Sequence, residues 1–222
     1  MYQWIISIPI LGIGFFIGSL PVSYLYAKKF KGVDLRKIGT KSVGASNAAK
    51  FVGKKASILV GLFDFAVKGA IPLLFLRYLG YEEWIQLSAG LLIVCGHNWS
   101  PFLGFRGGRG ILTSLGIILG LGMWIEFVAM CVIAGMIGRG LIYKDSGFWT
   151  FIGFILLIGL TLIFHPESSF VVFCSFLVVI LLIKRLVPNM DPIQGSNKFT
   201  TFYYRLVFDR DIRSKRDWLT EH

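Results

Sequence analysis

Long apolar runs dominate the chain, at about Trp4–Tyr26, Ala56–Leu79, Ile85–Leu103, Ile111–Gly138, Phe148–Phe164 and Ser169–Val187. A helix needs roughly 20 apolar residues to cross the hydrocarbon core of a bilayer, and these runs are of that order. The pattern predicts an all-α, polytopic membrane bundle. One run has two readings: Ile111–Gly138 is a single long tilted helix, or two short ones hinged near Gly120 and Gly122.

Charge between the runs separates these readings. The segment Ala27–Lys55 carries nine Lys or Arg residues against one acid, Asp34, so the positive-inside rule puts it in the cytoplasm. The next connection, around Glu82 and Glu83, is acidic and external, and "FRGGRG" (Phe105–Gly110) returns inside. If the long run is one span, Arg139, Lys144 and the basic stretch after Lys184 and Arg185 lie outside. If it is two, these lie inside and "HPESS" (His165–Ser169), without Lys or Arg, lies outside. The rule selects the second reading: about seven spans, amino terminus out and carboxyl terminus cytoplasmic. Residues 1–190 then form one transmembrane domain and 191–222 a basic tail. In the tail Phe199, Phe202, Tyr203 and Leu206 recur at helical spacing. That fits a helix lying on the inner membrane surface, and a solvated tail equally.

Composition narrows the class further. The mean hydropathy is +0.70, with 55% hydrophobic and 16% charged residues, against about 25% charged in soluble domains. The net charge of +11 is interleaved with the spans and forms no separate basic domain, which argues against a nucleic-acid partner. Cys95, Cys131 and Cys174 sit in apolar runs without metal-type or disulfide spacing. The first run lacks a basic n-region and is too long for a signal peptide, so it reads as a retained span. No Walker-type loop, metal-spaced histidines or serine elbow occurs, and neither a metal nor a cofactor is expected. His97 has Pro101 four residues on, so the His–Asp pairing of many glycerolipid acyltransferases is missing.

Three polar features carry candidate chemistry. In Lys28–Lys55, small residues (Gly39, Thr40, Ser42, Gly44, Ser46) are mixed with Arg36, Lys41, Asn47 and Lys50. Such a loop suits an anion held by backbone N–H groups and cations, or attraction to anionic lipid headgroups. In Gly96–Gly116, Gly107, Gly108 and Gly110 lead into a helix start, between Arg106 and Arg109. Helix starts favour anions and arginines grip phosphate bidentately, which is more than a topology anchor requires. His97, just upstream, is either a hydrogen-bonded structural residue or an acid–base group. Asp64 and Lys68, four apart inside an apolar run, share a helix face; they form a structural ion pair or, through Lys68, a substrate contact.

The segments Gly18–Lys50 and Gly96–Gly116 resemble the bacterial acyl-phosphate:glycerol-3-phosphate acyltransferases, and the resemblance extends to about Asp191. That family motif Gly-Ser-Gly-Asn-x-Gly-Ala-Thr-Asn corresponds to Gly39–Asn47, with Lys50 at the position of a phosphate-binding arginine three residues later. Here Thr40 and Ser46 are gentle changes, Lys41 and Ser42 larger ones. The second motif keeps Gly96, His97 and the three loop glycines, with Arg106 and Arg109 for two lysines and the proline moved to Pro101. The third, His-x-x-Asn-Ile-x-Arg-Leu, is represented by "VILLIKRL": Val179 and Leu182 replace the histidine and asparagine, whereas Ile183, Arg185 and Leu186 remain. Asp191 stands where the family has a glutamate, and Ser146 is a loose counterpart of a serine after the fifth span.

The resemblance implies a seven-span enzyme of the bacterial inner membrane whose site faces the cytoplasm. It would move a fatty acyl group from acyl phosphate to the 1-hydroxyl of glycerol 3-phosphate, giving lysophosphatidic acid. The candidate catalytic residues are then His97, Thr40 and Asn47. The candidate phosphate contacts are Gly39, Arg36, Ser42, Gly44, Ser46, Lys50, Lys68, Arg106, Gly107, Gly108, Arg109 and Gly110. The substitutions in the third motif keep an alternative open: a non-catalytic or acceptor-shifted relative binding acyl phosphate or phospholipid. Oligomeric state stays open, a monomer included.

Overall fold

A computed structural model describes residues 2–189, 197–214 and 218. The described chain is helical throughout its ordered elements and gathers into two compact units, one up to Met123 and one from Trp124.

The first unit begins with α1 (Tyr2–Ser19) and α2 (Val22–Lys31), separated at Leu20–Pro21. Pro21 has no N–H to continue the ladder. Helix α2 ends at Gly32, whose left-handed φ of 66° closes the last turn beside Lys28, Lys29 and Lys31. There the three cations face the negative end of the helix dipole. A short α3 (Ala45–Val52) precedes α4 (Lys54–Tyr78), which widens to π-helical hydrogen bonding over Phe63–Ala70. Then come α5 (Glu83–Asn98) and α6 (Ile111–Gly120).

Two crossings hold this unit, and both use glycine. A Cβ at Gly18 would strike the Ile93 carbonyl, and one at Gly96 the Phe15 carbonyl, so α1 and α5 meet backbone to backbone. Helices α4 and α6 meet the same way, Gly116 lying against the Phe65 carbonyl and Gly69 against Thr113. Such small-residue seams replace the hydrophobic drive that lipid surroundings remove. Ile93, Val94, Ile117, Ile118, Leu73 and Met123 fill the interior.

The second unit comprises α7 (Trp124–Ile142), α8 (Ser146–Phe164), α9 (Ser168–Leu186) and α10 (Lys198–Phe208). The Asp145 carboxylate accepts from the N–H groups of Gly147 and Phe148 and so caps α8. Leu157, Phe173, Cys174 and Leu177 form its core. Exposed Ile58, Leu59, Leu62, Val172 and Phe176 contrast with buried Asp64, Lys68 and Glu126. Apolar outside with polar inside is the pattern lipid selects.

Among the described residues, five helical stretches are long and apolar enough to cross a membrane: Ser7–Lys31, Lys54–Tyr78, Trp124–Ile142, Ser146–Phe164 and Ser168–Leu186. The long run Ile111–Gly138 is divided at Leu121–Met123, where Gly122 adopts a φ of 85°. The run expected over Ile85–Leu103 leaves the helix after Asn98, because Trp99, Ser100 and the turn at Pro101–Leu103 redirect the chain. Helices α5 and α6, with 16 and 10 residues, are therefore shorter than the five.

Candidate active site

The loop after α5 is closed by its own backbone. The Gly107 N–H donates to the Asn98 carbonyl (3.1 Å) and the Gly108 N–H to the His97 carbonyl (2.9 Å). These are terminal carbonyls of α5 that its own ladder leaves unpaired. A Cβ at Gly107 would strike the His97 carbonyl oxygen, and one at Gly108 would strike His97 Nε2. Gly110 (φ 74°) then opens α6. The amides of Gly107 and Gly108 are thus spent on α5, and what these glycines provide is close approach. The N–H groups pointing out of the start of α6 are those of Ile111, Leu112 and Thr113, which precede the first helical donor, Ser114. Arg106 is exposed and Arg109 half-buried on either side of the glycine pair.

Behind the loop lies a buried polar cluster. On the π-helical stretch of α4, Asp64 and Lys68 pair at 2.8 Å, with side chains 5% and 4% exposed. Lys68 Nζ is 3.5 Å and Thr113 Oγ1 3.3 Å from His97 Nδ1, and Asp64 Oδ1 is 3.8 Å from it. Lys68 and His97 border a small cavity together with Ser19, Ser23, Ser100, Val43 and Leu103. Its volume of about 10 Å³ has room for a single water. Two further polar residues escaped the sequence reading. Asn98 is fully buried with neither amide atom hydrogen-bonded among the described residues, and the buried Ser114 hydroxyl is likewise unpaired. Neither has a spacing signature that would single it out.

The first loop is organised around Asn47. Its Oδ1 accepts from the Thr40 N–H (3.1 Å), and its Nδ2 donates to the carbonyls of Ser42 (2.9 Å), Ile38 (3.2 Å) and Leu35 (3.4 Å). One buried amide thus pins the backbone from Leu35 to Ser42. Gly39 turns at a φ of 54°, against the Asn47 side chain. Tyr24, Ala27, Leu35, Val43, Ala48, Val52 and Ala56 form an apolar cluster beneath, and Leu103 of the second loop is part of it. The two loops are therefore neighbours. On the outer side Ser46 and Lys50 are exposed on α3 and Gly44 half-buried, while Ser42 is buried.

Arg36 is partly committed already. It pairs with Asp34 at 2.8 Å, donates to the Tyr24 hydroxyl (3.2 Å) and lies over the Tyr24 ring at 4.7 Å. The guanidinium hydrogen bond pulls the Asp34 carboxyl down to about 2. A carboxyl lowered in the folded state stabilises at any pH above its ordinary range and loses that contribution as pH falls toward 2. Asp34→Asn is accordingly expected to cost under ~1 kcal/mol, as for a partly exposed pair. The cost should be equal at pH 7 and pH 5 and shrink below about pH 4. Thermal unfolding of both proteins in detergent at the three pH values checks this.

In the second unit, Val179 is exposed, Leu182 half-buried, and Lys184 and Arg185 buried. Arg185 donates to the carbonyls of Leu206 (2.7 Å) and Gly147 (2.9 Å). Ser146, the first residue of α8, is exposed. Asp191 lies outside the described residues. Glu126 passed unnoticed in an apolar run; it is fully buried, with His165 Nε2 3.7 Å from its carboxylate.

Comparison with known proteins places these features in context. A family model described as glycerol-3-phosphate acyltransferase matches residues 8–196. Glycerol-3-phosphate acyltransferase 4 of Dehalococcoides mccartyi (strain CBDB1) is 35% identical over 216 residues, covering 94% of this chain and 91% of its own length. The crystal structure of PlsY (YgiH), an integral membrane glycerol 3-phosphate acyltransferase, in its glycerol 3-phosphate form gives a TM-score of 0.73 at 26% identity, over 81% of this chain and 88% of that one. Its lysophosphatidic acid form, at 21% identity, shares the fold with a TM-score of 0.71 over 97% and 99% of the two chains.

Proposed function

The chain belongs to the glycerol-3-phosphate acyltransferase family, integral multi-pass membrane enzymes that form lysophosphatidic acid for phospholipid synthesis, and we propose that its donor is a fatty acyl phosphate and its acceptor group the 1-hydroxyl. The packing of Leu103 into the apolar cluster of the first loop carries this reading. It sets two basic loops side by side, which is what a reaction between two phosphorylated substrates requires.

In this reading the first loop holds one phosphate through Arg36, Ser46, Lys50 and Thr40. The second holds the other through Arg106, Arg109 and the N–H groups that open α6. Asn47 contributes by fixing the first loop, and Gly107 and Gly108 by bringing the second onto His97. An acyl phosphate is an activated carbonyl with phosphate as leaving group, so no acyl-enzyme is needed. Holding two anions close, aligning hydroxyl with carbonyl and neutralising the departing charge lowers the barrier. The hydroxyl attacks the carbonyl carbon, the carbon–oxygen bond to phosphate breaks, and the released phosphate takes the hydroxyl proton.

The same reading makes α5 and α6 the short members of a seven-span set in the bacterial inner membrane, with the loops facing the cytoplasm. The tail helix α10, with Phe199, Phe202 and Tyr203 exposed, then lies against the inner surface of the membrane.

Inorganic phosphate release from palmitoyl phosphate by the purified protein, with and without glycerol 3-phosphate, tests the donor. Acceptor-dependent release is expected. Absence of release, with acyl phosphate still bound, would overturn it in favour of a lipid-binding relative. Arg106→Ala and Arg109→Ala should each raise a substrate KM about tenfold, the worth of one charge-assisted hydrogen bond, with membrane insertion intact. Unchanged kinetics in both would remove the phosphate role of that loop.

A further inference from the structure

In the second unit, the connection between α7 and α8 carries a concavity that the reaction described above does not use. Tyr143, Lys144, Asp145, Arg210, Arg213 and Ser214 line about 570 Å³ of open space, which is within the range of small-molecule sites. A buried ion pair forms part of the wall: Arg210 Nη1 lies 2.7 Å from Asp145 Oδ2, with side chains 5% and 6% exposed. The other Asp145 oxygen accepts from the N–H groups of Gly147 and Phe148. Both oxygens of this carboxylate are therefore committed, and Arg210 offsets its charge. Arg210 Nε and Nη2 also donate to the Arg213 carbonyl, at 3.0 and 2.6 Å, which fixes the backbone that brings Arg213 to the wall. Lys144 and Arg213 are exposed. With Arg210 set against Asp145, these two cations give the concavity its positive charge.

The surroundings select a lipid over a free anion. Helices α7 and α8 are both long and apolar enough to cross a membrane, the first ending at Ile142 and the second beginning at Ser146. The concavity therefore sits just past the ends of two spans, at the level of the lipid headgroups. Leu141 and Ile142, 82% and 69% exposed, directly precede the cationic wall. Trp149 Nε1 donates to the Tyr143 carbonyl at 2.8 Å, and tryptophan and tyrosine gather at that same level. We propose that Lys144 and Arg213 bind the phosphate of an anionic membrane phospholipid in this concavity, with an acyl chain lying along Leu141 and Ile142. Charge-assisted hydrogen bonds from a lysine and an arginine suit phosphate oxygens. The bound headgroup joins the α7–α8 connection to the chain after α10 and so steadies the second unit. This site depends on neither the acyl donor nor the acceptor, and its occupancy is read without either.

Native mass spectrometry of the full-length protein in a neutral detergent, titrated with dioleoyl phosphatidylglycerol, tests this. Phosphatidylcholine with the same chains and inorganic phosphate are the comparison arms. The protein is expected to retain phosphatidylglycerol in preference to phosphatidylcholine, and inorganic phosphate in large excess should not displace it. One cation at a membrane surface is worth about fivefold in affinity for anionic lipid. Lys144→Gln and Arg213→Gln should therefore each weaken phosphatidylglycerol binding about fivefold, and together about thirtyfold, with kcat in detergent unchanged. Lys144→Arg with Arg213→Lys keeps both charges and should bind as the parent does. If the double glutamine variant does not fold, the two single variants are read instead. Equal binding of phosphatidylglycerol by the parent and the glutamine variants, or equal retention of phosphatidylcholine, overturns the inference. Displacement by inorganic phosphate overturns it too, in favour of a site for the free anion. The expected lipid binding in a protein that releases no phosphate from palmitoyl phosphate would refute the donor assignment alone.

Discussion

Alanine at position 108 is expected to lower kcat/KM about a hundredfold while the chain still inserts and folds. Gly108 donates its N–H to the His97 carbonyl at 2.9 Å, and its missing side chain is the space that His97 Nε2 occupies. The ring cannot simply swing away, since Lys68 and Thr113 hold Nδ1 from behind. The added methyl therefore pushes the loop outward, carrying Arg106 and Arg109 with it. A displacement of about 1 Å between reacting groups is enough for a loss of about 10²-fold. Steady-state kinetics with both substrates, beside size-exclusion profiles in detergent, measure the effect. Gly12→Ala in α1, which meets nothing within 4 Å, is the control and should keep wild-type rates. Wild-type kinetics in Gly108→Ala would mean that the loop and the ring do not act together.

What could be read from the sequence depended on whether the signal was local. The division of Ile111–Gly138 was legible because Gly120 and Gly122 offer a hinge and the charges of the flanking loops select two helices, and Gly122 does turn at a φ of 85°. The Asp64–Lys68 pair was legible because four residues bring two side chains onto one face, even within the widened π-helical stretch. The partners of His97 were only partly so: Thr113 reaches it by the glycine crossing of α4 with α6, and no spacing in the sequence announces that contact. The loop glycines were legible, but the partners of their N–H groups were not. Whether a glycine N–H is offered to a ligand or spent on a carbonyl depends on where the end of α5 lies. Asn47 was read as chemistry, and its amide is occupied with loop backbone. In the tail, Arg205 pairs with Asp211 at 2.6 Å and Arg210 with Asp145 at 2.7 Å, contacts between distant positions that a count of charges does not announce.

Arg185→Met is expected to loosen that segment and to cost about 3 kcal/mol of stability. The guanidinium is 4% exposed, lies 4.9 Å from the Phe154 ring, and spans two chain ends. It donates to the Leu206 carbonyl near the close of α10 and to the Gly147 carbonyl in the first turn of α8. Arg205 reciprocates by donating to the Leu186 carbonyl at the end of α9 (3.2 Å), and Gly147 has no room for a Cβ against the Phe208 carbonyl. Methionine fills much of the same volume but donates nothing, which leaves carbonyls unsatisfied at about 1–3 kcal/mol each. Thermal unfolding in detergent should report the loss, and limited proteolysis should cut more rapidly between α9 and α10. Arg185→Lys separates charge from shape. A lysine keeps the cation but cannot reach two carbonyls in divergent directions from one planar fork, so it should recover less than half of the stability. Equal melting and equal proteolysis in all three proteins would deny the latch. If the latch holds, the third motif divides physically: the Arg185 side chain ties the tail helix to α8. The exposed Val179 and the half-buried Leu182 take no part in those bonds, and so can depart from the family pattern without undoing the fold.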